Sequence, residues 1–372
     1  MHTKEREYGQ SRTKNVRDMD TLGIVVIGCG NISGIYIQNL QTRFKNTKVV
    51  GLYSRNIDRA ERIAAENNIH RTYKNYGEAL EDSDVSVILN LTPPAVHYDV
   101  TKQALQKGKH VYSEKPLAAT FEQGKRLAEL AEKNNVLLCC APDTILGGAL
   151  QSSLHYLRDD IIGDVFGASA FLQKRGVENW HPNPTFLYQD GGGPMMDMGP
   201  YYLSALIKIL RSVEKVAGMS SIPMPTRVIR SGLKAGESFQ VTVPTYANAL
   251  LQFASGVIGN IMTTFDSHQS ELPHLEIYGS KGTLTLPDPN TFGGSIKVYR
   301  DGQSMAELPL LYQNTENCRG IGLSDMITAI HSRRKAALEY HLALHVLEII
   351  EAIEASQQQN QYVYLKTKYE ET

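Results

Sequence analysis

The chain is short of the features that mark several protein classes. Its 372 residues include four cysteines, Cys29, Cys139, Cys140 and Cys318, and none stands in a Cys-x-x-Cys pair or at a metal-ligand spacing. That pattern excludes disulfide scaffolds and zinc modules, predicts no metal site, and fits small buried side chains in a reducing cytoplasm. Charge of one sign is not in excess, with 38 Lys+Arg against 39 Asp+Glu and a net charge of −1. Neither nucleic acid nor a membrane surface is an expected partner. No run approaches the ~18 consecutive apolar residues of a membrane span. Met1 to Asp20 are polar and charged with no apolar stretch, so they do not read as a secretory signal. Residues 1–21 are a polar extension on this reading, and the expected location is the cytoplasm.

What is present is enough apolar material, 42% of residues, for two ordinary domains. Gly23 to Ile27 form an apolar run. Gly28-Cys29-Gly30-Asn31-Ile32-Ser33-Gly34 follows, then a helix-like stretch to about Arg43. Strand, glycine turn and helix in that order are the setting of a dinucleotide site. Gly28 permits a tight turn, Gly30 lets backbone approach a pyrophosphate, and the helix start at Asn31-Ile32 offers amide donors. Ser33 replaces the usual third glycine and is small enough for close helix–strand packing. Strand and helix patterns then alternate to Cys140, which predicts a doubly wound parallel sheet over residues 22–142.

The second strand ends in Tyr53-Ser54-Arg55-Asn56, without the carboxylate that grips a ribose 2′-hydroxyl. Ser54 and Arg55 suit a 2′-phosphate, so NADP(H) is favoured and NAD(H) is the other candidate. The plainer reading of Arg55 is a solvent-facing helix start. Leu91-Thr92-Pro93-Pro94 ends the next strand and should pass beneath the nicotinamide ribose, with His97 either lining that site or lying on a helix surface. Lys115 lies in His110-Val111-Tyr112-Ser113-Glu114-Lys115-Pro116, at the carboxyl end of a strand. Ligands bind at that edge of an open parallel sheet, so Glu114 and Lys115 face cofactor and substrate.

After Pro142 the period changes. Val165 to Lys174, Ala247 to Phe253, Gly256 to Phe265, His274 to Gly279, Thr283 to Leu286 and Ile296 to Arg300 read as strands. Several alternate apolar and polar residues, predicting a large, mostly antiparallel sheet in an α/β domain over residues 143–372. Gly191-Gly192-Gly193-Pro194-Met195-Met196-Asp197-Met198-Gly199-Pro200-Tyr201 is its chemical centre. Asp197 and Tyr201 are four apart and share a face if one helix begins near Asp197; capping that helix is the bland role for the aspartate. Trp180, His181 and Tyr188 precede this run, and an aromatic platform beside polar groups suits a sugar ring. Asp143 and Thr144, after the last parallel strand, face either the cleft or ordinary interdomain structure.

In order and spacing these runs resemble the Gfo/Idh/MocA family, the glucose–fructose oxidoreductase and inositol dehydrogenase group. The resemblance spans about residues 22–365. It rests on the Gly28 loop, Thr92-Pro93 with His97, Gly108-Lys109-His110-Val111, Glu114-Lys115-Pro116, the Asp197 run and Leu344-His345-Val346-Leu347-Glu348. It implies a Rossmann domain followed by an α/β domain whose open sheet joins subunits into a homo-oligomer, a dimer or tetramer. It also implies NAD(P)-dependent oxidation or reduction at a sugar or cyclitol hydroxyl, with Lys115 touching nicotinamide and substrate. The sequence departs from the family pattern in one place: Tyr201 stands where the Asp-x-Gly-x-His form has histidine. Either Tyr201 or Lys115 then exchanges the alcohol proton, Asp197 orients them, and a neighbouring ammonium should pull the phenol toward phenolate. Two other classes share such a scaffold: a redox-neutral glycoside-cleaving enzyme that keeps NAD bound, and a nucleotide or sugar sensor.

Overall fold

The computed structural model describes residues 21–369. The expected extension over residues 1–21 therefore lies, Thr21 apart, outside the described residues. Continuous apolar strands stack first. β1 (Gly23–Ile27), β2 (Lys48–Tyr53), β3 (Val87–Asn90), β4 (His110–Ser113) and β5 (Leu138–Cys140) form a parallel sheet in the order β2-β1-β3-β4-β5. β1, β3 and β5 are buried at every position, as strands covered on both faces must be. α1 (Ser33–Thr42), α2 (Ile57–Glu66), α3 (Tyr76–Glu81), α4 (His97–Gln106) and α5 (Phe121–Lys133) make the crossovers. Asn56, Asn75 and Thr120 cap α2, α3 and α5 with side-chain oxygens.

α6 (Gly148–Arg158) leads into the second sheet, which begins with β6 (Val165–Gln173). α7 (Pro194–Asp197) and α8 (Gly199–Leu210) follow, each with proline in its first turn. The strands then run β7 (Val213–Ser221), β8 (Thr226–Val228), β9 (Ser238–Gln240), β10 (Tyr246–Phe253), β11 (Ile258–Thr264), β12 (Leu275–Gly279), β13 (Gly282–Leu286), β14 (Ile296–Arg300) and β15 (Ala306–Leu308). α9 (Ile321–Ser332), α10 (Tyr340–Gln359) and β16 (Val363–Tyr364) close the chain. The sheet order is β15-β14-β13-β12-β6-β11-β10-β7-β16, with β6 and β11 the parallel pair, while β8 and β9 pair only with each other.

The alternation read from the sequence sorts the two faces of this sheet. Ala247, Ala249, Leu251 and Phe253 turn inward, and Asn248 and Leu250 turn outward. β7, short of β-branched residues, carries no such sequence pattern; β10 and β16 on its two sides form it. α8 is apolar almost all round and buried along most of its length. α10 carries the chain back to the first domain. A side chain at Gly124 of α5 would lie about 3 Å from Leu344 and Leu347, so the helices touch there. Among the described residues no helix is long and apolar enough to cross a membrane.

Candidate active site

At the carboxyl edge of the parallel sheet lies a cavity of about 890 Å³. One end is the glycine loop. Gly28 has φ of 101°, and a Cβ there would sit 2.7 Å from the Leu91 carbonyl, so the β1–α1 and β3 loops can meet only with glycine at this position. A Cβ built on Gly30 meets nothing within 4 Å, so the space above that backbone is open to a ligand. Ser33 is fully buried and its hydroxyl donates to the Gly30 carbonyl at 2.7 Å, which is how a small polar residue takes the third glycine's place. Asn31 and Ile32 line the same end of the cavity.

The β2 end supplies Ser54, Arg55 and, one turn into α2, Arg59. The Arg59 Nε is buried with no hydrogen-bond partner, a donor left for a ligand. Arg59 carries no motif of its own in the sequence; only its four-residue spacing from Arg55 at a helix start points to it. Asn56, not Arg55, caps α2. These donors, the amides of the helix start and the open space over Gly30 fit a dinucleotide.

Leu91, Thr92, Pro93 and His97 form the wall between the two ends. His97 is 1% exposed rather than on a helix surface. Its ring nitrogens lie 2.7 Å from the Pro116 and Thr92 carbonyls, so it ties the β3 loop to the β4 loop. Glu114 is anchored from the cofactor helix: the Tyr36 hydroxyl donates to its Oε1 at 2.8 Å, and its Oε2 accepts the Lys115 amide at 3.0 Å. The Lys115–Pro116 peptide is cis.

Lys115 reaches across to the second domain. Its Nζ donates to Asp197 Oδ1 at 2.7 Å and to the Asp197 carbonyl at 2.5 Å, and lies 5.1 Å from the centre of the Tyr201 ring. Asp197 and Tyr201 do not share one helix. Asp197 ends α7, and Tyr201 lies in the first turn of α8 with its amide on the Met198 carbonyl. Met198 occupies the cap position of α8 without a side-chain bond, so capping is not the aspartate's role. Burial alone would lower the Lys115 pKa, but Asp197, Tyr201 and Glu114 outweigh it and hold the ammonium firmly charged. For Tyr201 the balance is the reverse of the expectation. Burial raises the phenol above its usual value despite the lowering by Lys115 and Arg319, so the residue stands as a neutral hydroxyl. Arg319, in the segment before α9, is the second cation that lowers the Tyr201 phenol, and its guanidinium donates to Asn317 Oδ1 at 2.9 Å and Asn290 Oδ1 at 3.3 Å. It lies 118 residues from Tyr201 along the chain, and no local sequence pattern points to it.

Trp180 and His181 line the cavity with Phe186, away from the glycine loop; the His181 ring is 5.5 Å from Trp180 and 5.6 Å from Phe186. Two expected substrate residues lie elsewhere. Asp143 is 3% exposed and spends its oxygens on the Gly320 and Gly322 amides, both at 2.8 Å, and the Tyr112 hydroxyl at 2.6 Å. It fastens the α9 segment to β4, and neither it nor Thr144 lines the cavity. Tyr188 is fully buried behind the wall, with its hydroxyl on Glu178 and its ring under Arg227.

Comparison with known proteins places the chain in a family. Residues 22–141 match the model of the Gfo/Idh/MocA oxidoreductase family with an NAD-binding Rossmann fold, and residues 154–285 match the family's C-terminal domain. A dTDP-3,4-didehydro-2,6-dideoxy-α-D-glucose 3-reductase of Saccharopolyspora spinosa is 26% identical over 290 residues, 75% of this chain and 80% of its own. A trans-1,2-dihydrobenzene-1,2-diol dehydrogenase of Xenopus tropicalis is 31% identical over 183 residues, 47% of this chain and 53% of its own. Levoglucosan dehydrogenase, solved with NADH and levoglucosan, superposes with a TM-score of 0.80 at 18% identity over 93% of this chain and 100% of its own, a likeness of fold. The chain belongs to the Gfo/Idh/MocA family of NAD(P)-dependent oxidoreductases.

Proposed function

We infer that this chain moves a hydride between a nicotinamide cofactor and a carbon bearing a hydroxyl or carbonyl group on a sugar, sugar derivative or cyclitol. The observation that carries the reading is the convergence of Lys115, Asp197 and Tyr201 at the end of a cavity that starts at the glycine loop. When bound, the nicotinamide supplies or accepts the hydride. Lys115, held as an ammonium by Asp197, hydrogen-bonds the reacting oxygen and favours the negative charge that develops on it. In the reducing direction the Tyr201 hydroxyl gives its proton to that oxygen; in the oxidising direction the phenolate takes it back. Lys115 and Arg319 flank the phenol, and both favour the phenolate left after transfer. Asp197 orients the ammonium and takes no proton.

The Trp180–Phe186 wall favours a ring with one apolar face. That shape includes pyranoses and also a cyclic vicinal diol, the kind of compound named for the Xenopus relative. NADP(H) is the preferred cofactor on the strength of Ser54, Arg55 and Arg59. The open face of the second sheet, with Met219, Leu250 and Ile258 exposed, is the proposed contact between subunits.

The deciding experiment mixes the protein with cofactor and a panel of sugars, cyclitols and cyclic diols and follows absorbance near ~340 nm. A net change is expected. Product formation without that change would instead identify a redox-neutral glycoside-cleaving enzyme, and binding without any turnover a sensor. For the cofactor, a larger thermal shift with NADPH than with NADH is expected, and Arg59→Ala should erase the difference. A larger shift with NADH would refute the 2′-phosphate reading.

A further inference from the structure

The β8–β9 hairpin pairs with no strand of the large sheet, yet it holds one of the most buried charges in the molecule. Arg227 is 5% exposed. Its Nη1 donates to Glu178 Oε1 at 2.8 Å, its Nη2 pairs with Asp266, and its guanidinium lies 4.7 Å from the centre of the Tyr188 ring. The Tyr188 hydroxyl donates to the other oxygen of Glu178, and Thr245 donates to Asp266 Oδ2 at 2.8 Å. Backbone bonds repeat the connection: the Arg230 amide to the Glu178 carbonyl at 2.8 Å and the Thr242 amide to the Tyr188 carbonyl at 2.9 Å. A Cβ on Gly176 would lie 2.1 Å from both the Tyr188 hydroxyl and Glu178 Oε2, so the backbone itself is pressed against the cluster. Phe239, Val241 and Phe265 seal it with a small apolar core.

The segment gripped in this way is the substrate wall seen from behind. Glu178 and Tyr188 turn into the cluster, and Trp180, His181 and Phe186, between them in sequence, turn into the cavity. That segment is two short 3₁₀ turns, Val177–Asn179 and Thr185–Tyr188, joined by loop. A buried ion pair contributes little net stability because desolvation offsets the Coulomb gain, whereas its fixed geometry can specify position. A forked guanidinium is suited to that task, since it holds two carboxylates and a ring in set directions.

We propose that Arg227 is a positioning residue for substrate recognition: through Glu178 and Tyr188 it fixes where the Trp180–His181–Phe186 wall stands relative to Lys115. The proposal rests on the reading of that wall as the surface that meets a sugar-like or cyclic-diol ring. It assigns to the β8–β9 hairpin a share of specificity without contact with substrate.

The test uses the full chain and compares Tyr188→Phe and Arg227→Lys with Trp180→Ala and with Ile277→Val, a core change in the second sheet. The brace variants should raise the substrate KM about tenfold while kcat and cofactor Kd stay within about twofold, the pattern of a displaced binding surface. Ile277→Val should lower Tm without raising KM. Should Arg227→Lys fail to fold, Tyr188→Phe, which keeps every charge, carries the comparison. If Trp180→Ala raises KM and Tyr188→Phe does not, the wall reading survives and the brace is overturned. If Trp180→Ala leaves KM unchanged, both fall. Loss of kcat and cofactor affinity in parallel with KM would mean that the cluster only stabilises the fold.

Discussion

Two clusters in this molecule use the same three kinds of side chain. In one, Lys115 pairs with Asp197 and lies 5.1 Å from the centre of the Tyr201 ring. In the other, Arg227 pairs with Glu178 and lies 4.7 Å from the centre of the Tyr188 ring. The difference is access and proton chemistry. The Lys115 and Asp197 side chains are 13% and 27% exposed and open on the cavity, whereas those of Arg227 and Glu178 are 4% and 7% exposed and face only protein. Lysine presents an ammonium whose free N–H can turn to a substrate oxygen. Arg227 presents two terminal nitrogens already taken by Glu178 and Asp266 and cannot give up its proton. On the proposed roles, a cation, a carboxylate and a tyrosine make a reaction centre or a brace according to whether they open on the cavity or face only protein.

The largest effect that separates the two clusters should come from Lys115→Met. Turnover should fall about 10³-fold through loss of the charge on the reacting oxygen. Fluorescence titration should find cofactor affinity nearly kept. Unchanged turnover would put the chemistry elsewhere in the cavity. Next comes the tyrosine pair. Tyr201→Phe should cost about 10²-fold in kcat as a lost proton donor, and Tyr188→Phe almost none. Stability should run the other way. Tyr188→Phe strips the buried Glu178 carboxylate of a donor, at a cost of about 1–2 kcal/mol in chemical denaturation. Equal kcat losses in the two variants would erase the distinction between centre and brace.

The two clusters also differ in how far the sequence exposes them. Lys115 was legible because Glu114-Lys115-Pro116 follows a short apolar strand, and Asp197 and Tyr201 because glycines and prolines crowd around them. Each of these is a local pattern. The parallel sheet was legible for the same reason, since its strands and helices alternate along the chain. The brace joins Glu178, Arg227 and Asp266, brought together by a hairpin and two strand ends that leave no periodicity behind. Tyr188 and Asp143 were read as substrate residues because an aromatic or an acid near a glycine run or a strand end suits a ligand equally well. Only the fold shows that their polar atoms are already taken by Glu178 and by the Gly320 and Gly322 amides. β7 was missed because its pairing comes from its neighbours and not from its own residues.

A smaller effect tests whether Tyr201 is tuned from both sides. Tyr201 is raised by burial and lowered by Lys115 and Arg319, with Glu114 opposing them. With the neutral phenol as the proposed donor for reduction, that rate should hold at neutral pH and decline as pH rises through the elevated pKa. Oxidation needs the phenolate and should climb over the same range. Arg319→Met removes one of the two lowering charges, so both limbs should move to higher pH, with a change in rate near neutrality smaller than that of Tyr201→Phe. Arg319→Lys should return part of the shift, because charge rather than the fork is what the phenol feels. Arg319 has a second task as a neighbour of Asn290 and Asn317, and losing it there would alter KM with no movement of the pH limbs. A fixed pH profile in Arg319→Met, alongside a Tyr201→Phe that still loses kcat, would leave Lys115 as the cation that sets the phenol and reduce Arg319 to a packing neighbour of the ring.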